Sequence, residues 1–170
     1  MKLDRLFDAT DTNGDGQVDW PDYQRLVEYY LSGFKIDKDS LKGQAFRATQ
    51  EMFWTEVRRH ADGKDCLSKE EFMTAIRAMV VDTSRFNIVE SLPNAVFDLI
   101  DTNEDEVISK AEFKRFLDVW DITDPDAMDV FNTLDTNGDG KISRHEYVMS
   151  WREFFFTEDR TGPMGRSSDV

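Results

Sequence analysis

The chain has 170 residues, 33% of them charged, and a net charge of −14 at neutral pH. A surface this acidic repels nucleic acid and anionic lipid and concentrates cations, which argues against DNA, RNA and membrane-surface roles. No stretch approaches the roughly 18 apolar residues of a membrane span, and a single cysteine, Cys66, fits a reducing compartment. We therefore expect a cytoplasmic protein with no integral membrane segment.

The tripeptide DTN occurs three times, at residues 11–13, 101–103 and 135–137. Each copy lies between two segments whose apolar residues recur every three or four positions, which places them on one face of a helix. A fourth unit lies between the first two copies. Residues 41–59, with Ser40 as a predicted N-cap, and residues 70–80 have the same spacing around the loop 60–71.

These patterns predict an all-α protein with four helix–loop–helix units, in two pairs that form one compact domain. The N-terminal pair spans residues 1–80 and the C-terminal pair residues 91–157, followed by a tail, 158–170. An irregular stretch, 81–93, is predicted to join the pairs. Asp124 before Pro125 marks another helix start, because proline is favoured at the first helical position.

The loops have the spacing of a calcium site. Calcium takes six to eight oxygen ligands, and a twelve-residue loop supplies them from positions 1, 3, 5, 7, 9 and 12. Position 7 contributes its backbone carbonyl and position 12 a bidentate carboxylate, whereas glycine at position 6 permits a sharp turn. An apolar residue at position 8 lets paired loops join through a short two-stranded contact.

Loop one, DTNGDGQVDWPD (11–22), has a candidate ligand at every required position. The candidates are Asp11, Asn13, Asp15, the Gln17 carbonyl, Asp19 and Asp22. Asp22 is one methylene shorter than the usual glutamate, so only one of its two carboxylate oxygens can reach the ion. One oxygen fewer favours the six-coordinate geometry of Mg²⁺, so we predict mixed Ca²⁺/Mg²⁺ binding here.

Loop two, HADGKDCLSKEE (60–71), is predicted not to bind calcium. His60 replaces the first carboxylate, Lys64 puts a cation where an anion is needed, and Asp65 replaces the glycine. Leu67 at position 8 and the helix capping box formed by Ser68 and Glu71 are enough to keep the fold and the pairing with loop one.

Loop three, DTNEDEVISKAE (101–112), has every oxygen donor but lacks the glycine. The candidate ligands are Asp101, Asn103, Asp105, the Val107 carbonyl, Ser109 and Glu112. Glu106 occupies position 6, and a non-glycine residue at positive φ costs on the order of 1–2 kcal/mol. That cost weakens binding by roughly 5- to 30-fold without abolishing it, so we predict a functional site.

Loop four, DTNGDGKISRHE (135–146), matches the pattern at every position. The candidate ligands are Asp135, Asn137, Asp139, the Lys141 carbonyl, Ser143 and Glu146. The sequence therefore predicts three bound calcium ions. Mg²⁺ can occupy the same sites, above all loop 11–22.

These motifs resemble the EF-hand superfamily. A defunct second loop, aspartate closing the first and DTNED in the third look like the invertebrate sarcoplasmic calcium-binding proteins. VDWPDY (18–23) and REFFFTEDR (152–160) resemble stretches of their neuronal relatives, the calexcitins. The resemblance implies two EF-hand pairs packed face to face and a cytosolic Ca²⁺ buffer that exchanges Mg²⁺. Calexcitin-like proteins are instead signalling proteins with membrane-associated targets.

Buffer and sensor functions both remain open from the sequence. Three sites, an aromatic-rich core and no separate effector region favour a buffer. A sensor exposes an apolar, often Met-rich surface when calcium binds. Several methionines lie in predicted helices, among them Met52, Met73, Met79 and Met149. A protein target is unknown, and nothing demands more than a monomer.

Enzymatic functions find no support in the sequence. A luciferin-binding photoprotein shares the architecture, but that family's chemistry relies on buried histidines, and the two histidines here, His60 and His145, lie in loops. Cys66 and His60 share the degenerate loop without a group to orient them as nucleophile and base. We predict that the protein is not an enzyme.

Overall fold

The computed structural model describes residues 2–82, 88–123 and 126–156. Within these ranges, eight helices and four three-residue strands follow one another as helix, strand, helix, four times over. The predicted fold class, all-α with four helix–loop–helix units, is confirmed. The chain divides into an N-terminal unit, Met1–Leu92, and a C-terminal unit, Pro93–Val170.

The N-terminal unit contains the first two helix–loop–helix segments. Its elements are α1 (Lys2–Thr10), β1 (Gln17–Asp19), α2 (Trp20–Gly33), α3 (Leu41–Arg59), β2 (Cys66–Ser68) and α4 (Lys69–Val81). Ser40 caps α3 as predicted, since its hydroxyl accepts the Gly43 N–H at 3.1 Å. Its core is aromatic: the rings of Phe7 and Phe72 meet edge to face at 5.7 Å, which packs α1 on α4.

The C-terminal unit contains the last two segments. The elements are α5 (Ile88–Ile100), which begins just before the boundary, then β3 (Val107–Ser109), α6 (Lys110–Val119), α7 (Ala127–Leu134), β4 (Lys141–Ser143) and α8 (Arg144–Phe156). The Phe113 and Phe131 rings meet edge to face at 5.5 Å, and those of Phe97 and Tyr147 at 5.8 Å. These contacts pack α6 on α7 and α5 on α8.

The two loops of each unit are joined by a short antiparallel ladder. Val18 pairs with Leu67 in the N-terminal unit, and Ile108 with Ile142 in the C-terminal unit. All four side chains are 0% exposed, so the apolar residue at position 8 belongs to the core. The predicted two-stranded contact between paired loops is confirmed.

The predicted irregular stretch 81–93 is partly wrong. Val81 ends α4, and α5 already begins at Ile88 and contains Pro93 within the helix. Leu92 and Val96 are buried, so the free energy gained by packing this helix outweighs the cost of the backbone hydrogen bond that Pro93 cannot donate. Residues 83–87, Asp124 and Pro125, and the predicted tail 158–170 lie outside the described residues. Among the described helices, none is both long and apolar enough to cross a membrane.

Candidate calcium-binding loops

A capping box begins the helix after each loop. In loop one, the Asp19 carboxylate accepts the Asp22 N–H at 3.1 Å, and the Asp22 carboxylate accepts the Asp19 N–H at 3.0 Å. The same reciprocal bonds occur in the other three loops, between Ser68 and Glu71, Ser109 and Glu112, and Ser143 and Glu146. Positions 9 and 12 are therefore held together on the first turn of each exit helix.

The first carboxylate of each predicted site folds the loop around itself. In loop four, Asp135 accepts the N–H of Asp139 at 3.0 Å and the N–H of Gly140 at 2.8 Å. Asp11 and Asp101 accept the N–H groups at positions 5 and 6 of their own loops in the same way, at 2.9 to 3.2 Å. Loops one, three and four thus share one backbone turn.

Positions 3 and 5 complete that turn. In loop four, the Asn137 amide oxygen accepts the Asp139 N–H at 2.8 Å, and the Asp139 carboxylate accepts the Lys141 N–H at 2.9 Å. In loop one, Asn13 and Asp15 accept the same two bonds at 2.9 Å each. In loop three, Asn103 and Asp105 accept them at 3.2 and 3.3 Å.

Threonine at position 2 orients the closing carboxylate, a role that our sequence reasoning missed. Glu146 accepts both the N–H and the hydroxyl of Thr136, at 3.0 and 2.9 Å. The threonines of loops one and three make the same two bonds at 3.0 to 3.1 Å. They are Thr12, bonded to Asp22, and Thr102, bonded to Glu112. The signal was present in the repeated DTN, whose middle residue is not a metal ligand.

These bonds keep the closing carboxylates ionised. Burial raises the pKa of Glu146, but hydrogen bonds from Ser143, Thr136 and Asn137 outweigh it and lower the pKa to about 2. The pKa of Glu112 is lowered in the same balance, burial against hydrogen bonds from Ser109 and Thr102. At neutral pH each is a negative charge available to a cation.

Loop one combines four carboxylates with a neighbouring cation. Asp22 is 1% exposed and contacts the Arg25 guanidinium, whose Nε also donates to the Thr12 hydroxyl at 2.7 Å. Burial raises the pKa of Asp22, yet the bonds from the Asp19 N–H, Arg25 and Thr12 lower it overall. Arg25 therefore offsets part of the repulsion among the acidic groups of loop one.

In loop two, the Lys64 ammonium contacts Glu71, the carboxylate at position 12 that would bind the ion in the other loops. Lys64 at position 5 contacts one oxygen of Glu71, whose other oxygen accepts the Ser68 N–H at 2.9 Å. In the other loops the position-2 threonine bonds the first oxygen, but position 2 here is Ala61. The hydrogen bond from Lys64 lowers the pKa of Glu71 to about 2. The contact between Lys64 and Glu71 supports the prediction that loop two does not bind calcium.

Loop three is strained at two positions. Glu106 has φ of 65° and Glu104 has φ of 59°, whereas glycines occupy both positions in loop four, with φ of 84° at Gly140 and 72° at Gly138. Strain at Glu106 is expected from the sequence, and the glycine at position 4 of loops one and four indicates the same strain at Glu104. The turn bonds of loop three are 0.2 to 0.4 Å longer than those of loop four, as expected of a strained turn.

The donor chemistry of loops one, three and four fits a hard divalent cation, because the candidate ligands are carboxylate, amide, hydroxyl and carbonyl oxygens. Across the described residues, no three carboxylate, imidazole or thiol groups converge closely enough to hold one ion. The ligand oxygens are instead bonded to N–H groups of their own loops.

Family comparisons agree with this arrangement. The model of the EF-hand domain pair matches residues 90–152, and that of the EF hand matches residues 3–27. The luciferin-binding protein of Renilla reniformis is 26% identical over 165 residues, covering 94% of this chain and 87% of that protein. Calerythrin of Saccharopolyspora erythraea is 25% identical over 162 residues, covering 91% and 90%.

Solved structures give the same answer. A calcium-binding protein of Streptomyces coelicolor superposes with a TM-score of 0.74 and 26% identity, covering 91% of this chain and 95% of that one. The amphioxus sarcoplasmic calcium-binding protein has a TM-score of 0.74 at 16% identity, covering 98% and 96%. Magnesium-loaded apo-berovin, a ctenophore photoprotein, has 0.73 at 19%, covering 92% and 87%. At these low identities, the amphioxus protein and berovin are similar to this chain in fold.

Helix–loop–helix pairs joined at position 8, with oxygen-rich loops, define a calcium-binding protein of the EF-hand type. Residues 3–27 and 90–152 match EF-hand models, and over most of its length the chain is similar to calerythrin and to the calcium-binding protein of Streptomyces coelicolor. A plant calcium- and calmodulin-dependent kinase of Medicago truncatula matches at 34% identity over 111 residues, but the match covers only 19% of that enzyme. The calexcitin resemblance stays a prediction.

Proposed function

We propose that the chain binds three divalent ions, in loops 11–22, 101–112 and 135–146, and acts as a cytoplasmic Ca²⁺/Mg²⁺ buffer. The observation that carries the proposal is the shared backbone turn of these loops, each of which has oxygen-bearing candidate ligands at positions 1, 3, 5, 7, 9 and 12. Loop two lacks that set and has Lys64 against Glu71 instead. The ligands proposed for each ion are the residues predicted from the sequence.

Two features favour a buffer. Met79, one of the helical methionines that a sensor surface could use, is 3% exposed in the core of the N-terminal unit. The amphioxus protein that shares the fold is a sarcoplasmic calcium-binding protein. A buffer needs only to exchange ions, so a closed apolar core in each unit suits it.

Magnesium exchange is proposed for all three loops and is strongest for loop one. The short Asp22 side chain reduces the number of oxygens available at position 12, which suits six-coordinate Mg²⁺. All three calcium-binding loops of berovin are described as binding magnesium ions. At a millimolar Mg²⁺ background we expect loop one to hold Mg²⁺ and to release it as Ca²⁺ rises.

The sensor function is the alternative, favoured by the Streptomyces protein, which is described in terms of prokaryotic calcium-mediated regulation. Met52 and Met149 are 53% and 38% exposed and could belong to a surface that calcium enlarges. In that case the partner would be a protein or a membrane-associated target of unknown identity.

Fluorescence of a hydrophobic dye separates the two functions. The dye is added to the protein in millimolar Mg²⁺, and Ca²⁺ is then titrated in while ion binding is followed in parallel. The buffer proposal expects ion uptake with an unchanged dye signal. A sharp rise in dye fluorescence with Ca²⁺ would refute the buffer and support the sensor, and absence of ion uptake would refute both.

Similarity to luciferin-binding protein raises a second ligand class, which we consider less well supported than calcium alone. His60 follows α3 at its C-terminus, 3.3 Å from Asp82, and His145 is exposed on the first turn of α8. Neither imidazole lies in the core of its unit. We expect no complex with a coelenterazine-type luciferin, and a stable coloured complex after gel filtration would contradict this.

A further inference from the structure

The side chain of Glu106 makes a contact that glycine could not make. Its carboxylate accepts a hydrogen bond from Arg144, with 2.8 Å between Oε2 and Nε. Arg144 is the first residue of α8 and directly follows Ser143, the position-9 residue of loop four. The turn of loop three is therefore joined to the start of the helix that closes loop four.

Arg144 also holds the helix that leads into loop three. Its Nη2 lies 2.8 Å from the Asp98 carboxylate, and its guanidinium carbon lies 4.3 Å from the centre of the Phe97 ring. Both residues are on α5, which ends one residue before Asp101. A planar guanidinium can serve several acceptors and an aromatic face at once. Arg144 thus contacts loop three at both its entry and its turn.

The N-terminal unit supplies a natural comparison. Lys69 occupies position 10 of loop two, as Arg144 does in loop four, and it contacts the equivalent entry helix. Its Nζ lies 2.8 Å from Asp8 and 5.4 Å from the centre of the Phe7 ring. Position 6 of loop one is Gly16, which has no side chain to meet that ammonium. Within the described residues, the additional link from turn to exit helix belongs to the C-terminal unit.

We propose that the Glu106–Arg144 ion pair is a second link between the two sites of the C-terminal unit, beside the β3–β4 ladder, and that it increases the effect of an ion in one loop on the affinity of the other. An ion that draws Glu146 inward moves the first turn of α8 and Arg144 with it. Glu106 then transmits the displacement to Asp105 and Val107, its neighbours and positions 5 and 7 of loop three. The inference rests on the proposed calcium sites of loops three and four.

The coupling explains why a strained residue at position 6 of loop three can be useful. Glycine at position 6 would relieve the left-handed backbone and tighten loop three alone, but it would remove the carboxylate that reaches Arg144. The two effects of Glu106 therefore have opposite signs, weaker binding by one loop and stronger linkage between the two. A substitution series can separate them.

The test is a calcium titration of the full chain, followed by NMR at the backbone amides of positions 106 and 140. Glu106→Gln keeps the side-chain length and the backbone strain but removes the charge, and Arg144→Gln removes the partner. We expect each to lower the affinity of loop three by about three- to fivefold and to reduce the Hill coefficient of the C-terminal unit, with the ladder still joining the two loops. The double variant should be no worse than either single variant.

Glu106→Gly gives the diagnostic result. Release of strain should raise the affinity of loop three by roughly 5- to 30-fold, while the Hill coefficient still falls as it does in Glu106→Gln. Lys69→Gln is the matched control and should leave loops three and four unchanged. A loop-three affinity within about twofold of that of the unmodified chain, together with an unchanged Hill coefficient, in Glu106→Gln would overturn the coupling. If the unmodified chain bound no ion at either loop, the calcium sites themselves would be refuted, and the coupling with them.

Discussion

The two units of this protein have the same ladder and the same capping boxes but differ in their loops. The C-terminal unit pairs two oxygen-rich loops, whereas the N-terminal unit pairs one with a loop that has lost its first carboxylate and its turn glycine. Leu67 is as deeply buried in the degenerate loop as Ile142 is in the intact one. Apolar residues and helix caps are therefore enough to form the paired loops. The ligand oxygens are needed only for ion binding, and a loop can lack them and still keep its fold.

Calcium removal should produce the largest difference between the units. A bound ion at a hundred times its Kd stabilises the folded state by about 2.7 kcal/mol, so two sites contribute about twice as much as one. Clustered carboxylates also repel one another when no cation is present. We expect a chelator to lower hydrogen-exchange protection more in α5–α8 than in α1–α4, measured by mass spectrometry. Equal losses in both units would contradict the proposed distribution of sites.

Substitution of the closing glutamate should separate an intact loop from the degenerate one. Glu146→Gln removes a buried, hydrogen-bonded charge, and the loss of such a group costs about 2–5 kcal/mol of binding energy, or roughly 30-fold and more in affinity. Native mass spectrometry should show two tightly bound calcium ions instead of three. Glu71→Gln is the matched change in loop two and should leave three. Loss of an ion from the Glu71 variant would show that loop two binds after all.

Lengthening the closing carboxylate of loop one should change its selectivity more than its stability. Asp22→Glu supplies a second oxygen to the ion and should raise the preference for Ca²⁺ over Mg²⁺ by about tenfold. Competition calorimetry at several Mg²⁺ concentrations measures the ratio. The reverse change in the other unit, Glu112→Asp, should lower the preference at loop three. If both variants kept their original selectivity, side-chain length at position 12 would not be the cause.

The smallest effect concerns the pH dependence of loop two. Hydrogen bonds from Lys64, and then from Ser68, lower the pKa of Glu71 from 4.5 to about 2, so these contacts stabilise the fold fully above pH 4.5 and lose that contribution as the pH falls toward 2. In calcium-free buffer, the melting temperatures of Glu71→Gln and the unmodified chain should differ at pH 6 and converge as the pH falls from about 4 toward 2. A difference that did not change with pH would exclude the ion pair as its source.

The sequence predicted the helices, the loops and the apolar ladder positions because each depends on a local pattern. Apolar spacing of three and four residues, the capping pairs and the DTN repeat are all readable without knowledge of distant contacts. The prediction of an irregular stretch over residues 81–93 is wrong at α5, which begins at Ile88 and buries Leu92 and Val96. Propensity is a weak guide where tertiary packing decides.

The side-chain contacts within the sites were harder to predict. The pairing of Glu106 with Arg144 joins residues that are 38 positions apart, and no local motif specifies it. Lys64 was recognised as unsuitable for calcium, but its contact with Glu71 depends on the path of the loop. The positive φ at Glu104 lies at a position that the calcium-loop pattern does not reserve for glycine, and only comparison with Gly14 and Gly138 of the other loops indicates it.

Cys66 gives the molecule a practical property. It is the one cysteine in the sequence, it is exposed, and in the ladder it stands opposite Asp19 of loop one. Its thiol donates to the Gln17 side-chain oxygen at 3.1 Å, and burial together with nearby carboxylates raises its pKa, so labelling should proceed best in mildly alkaline buffer. A fluorophore attached there would report the filling of loop one from beside it. The protein therefore carries a native attachment point for reading one of its three proposed ions apart from the other two.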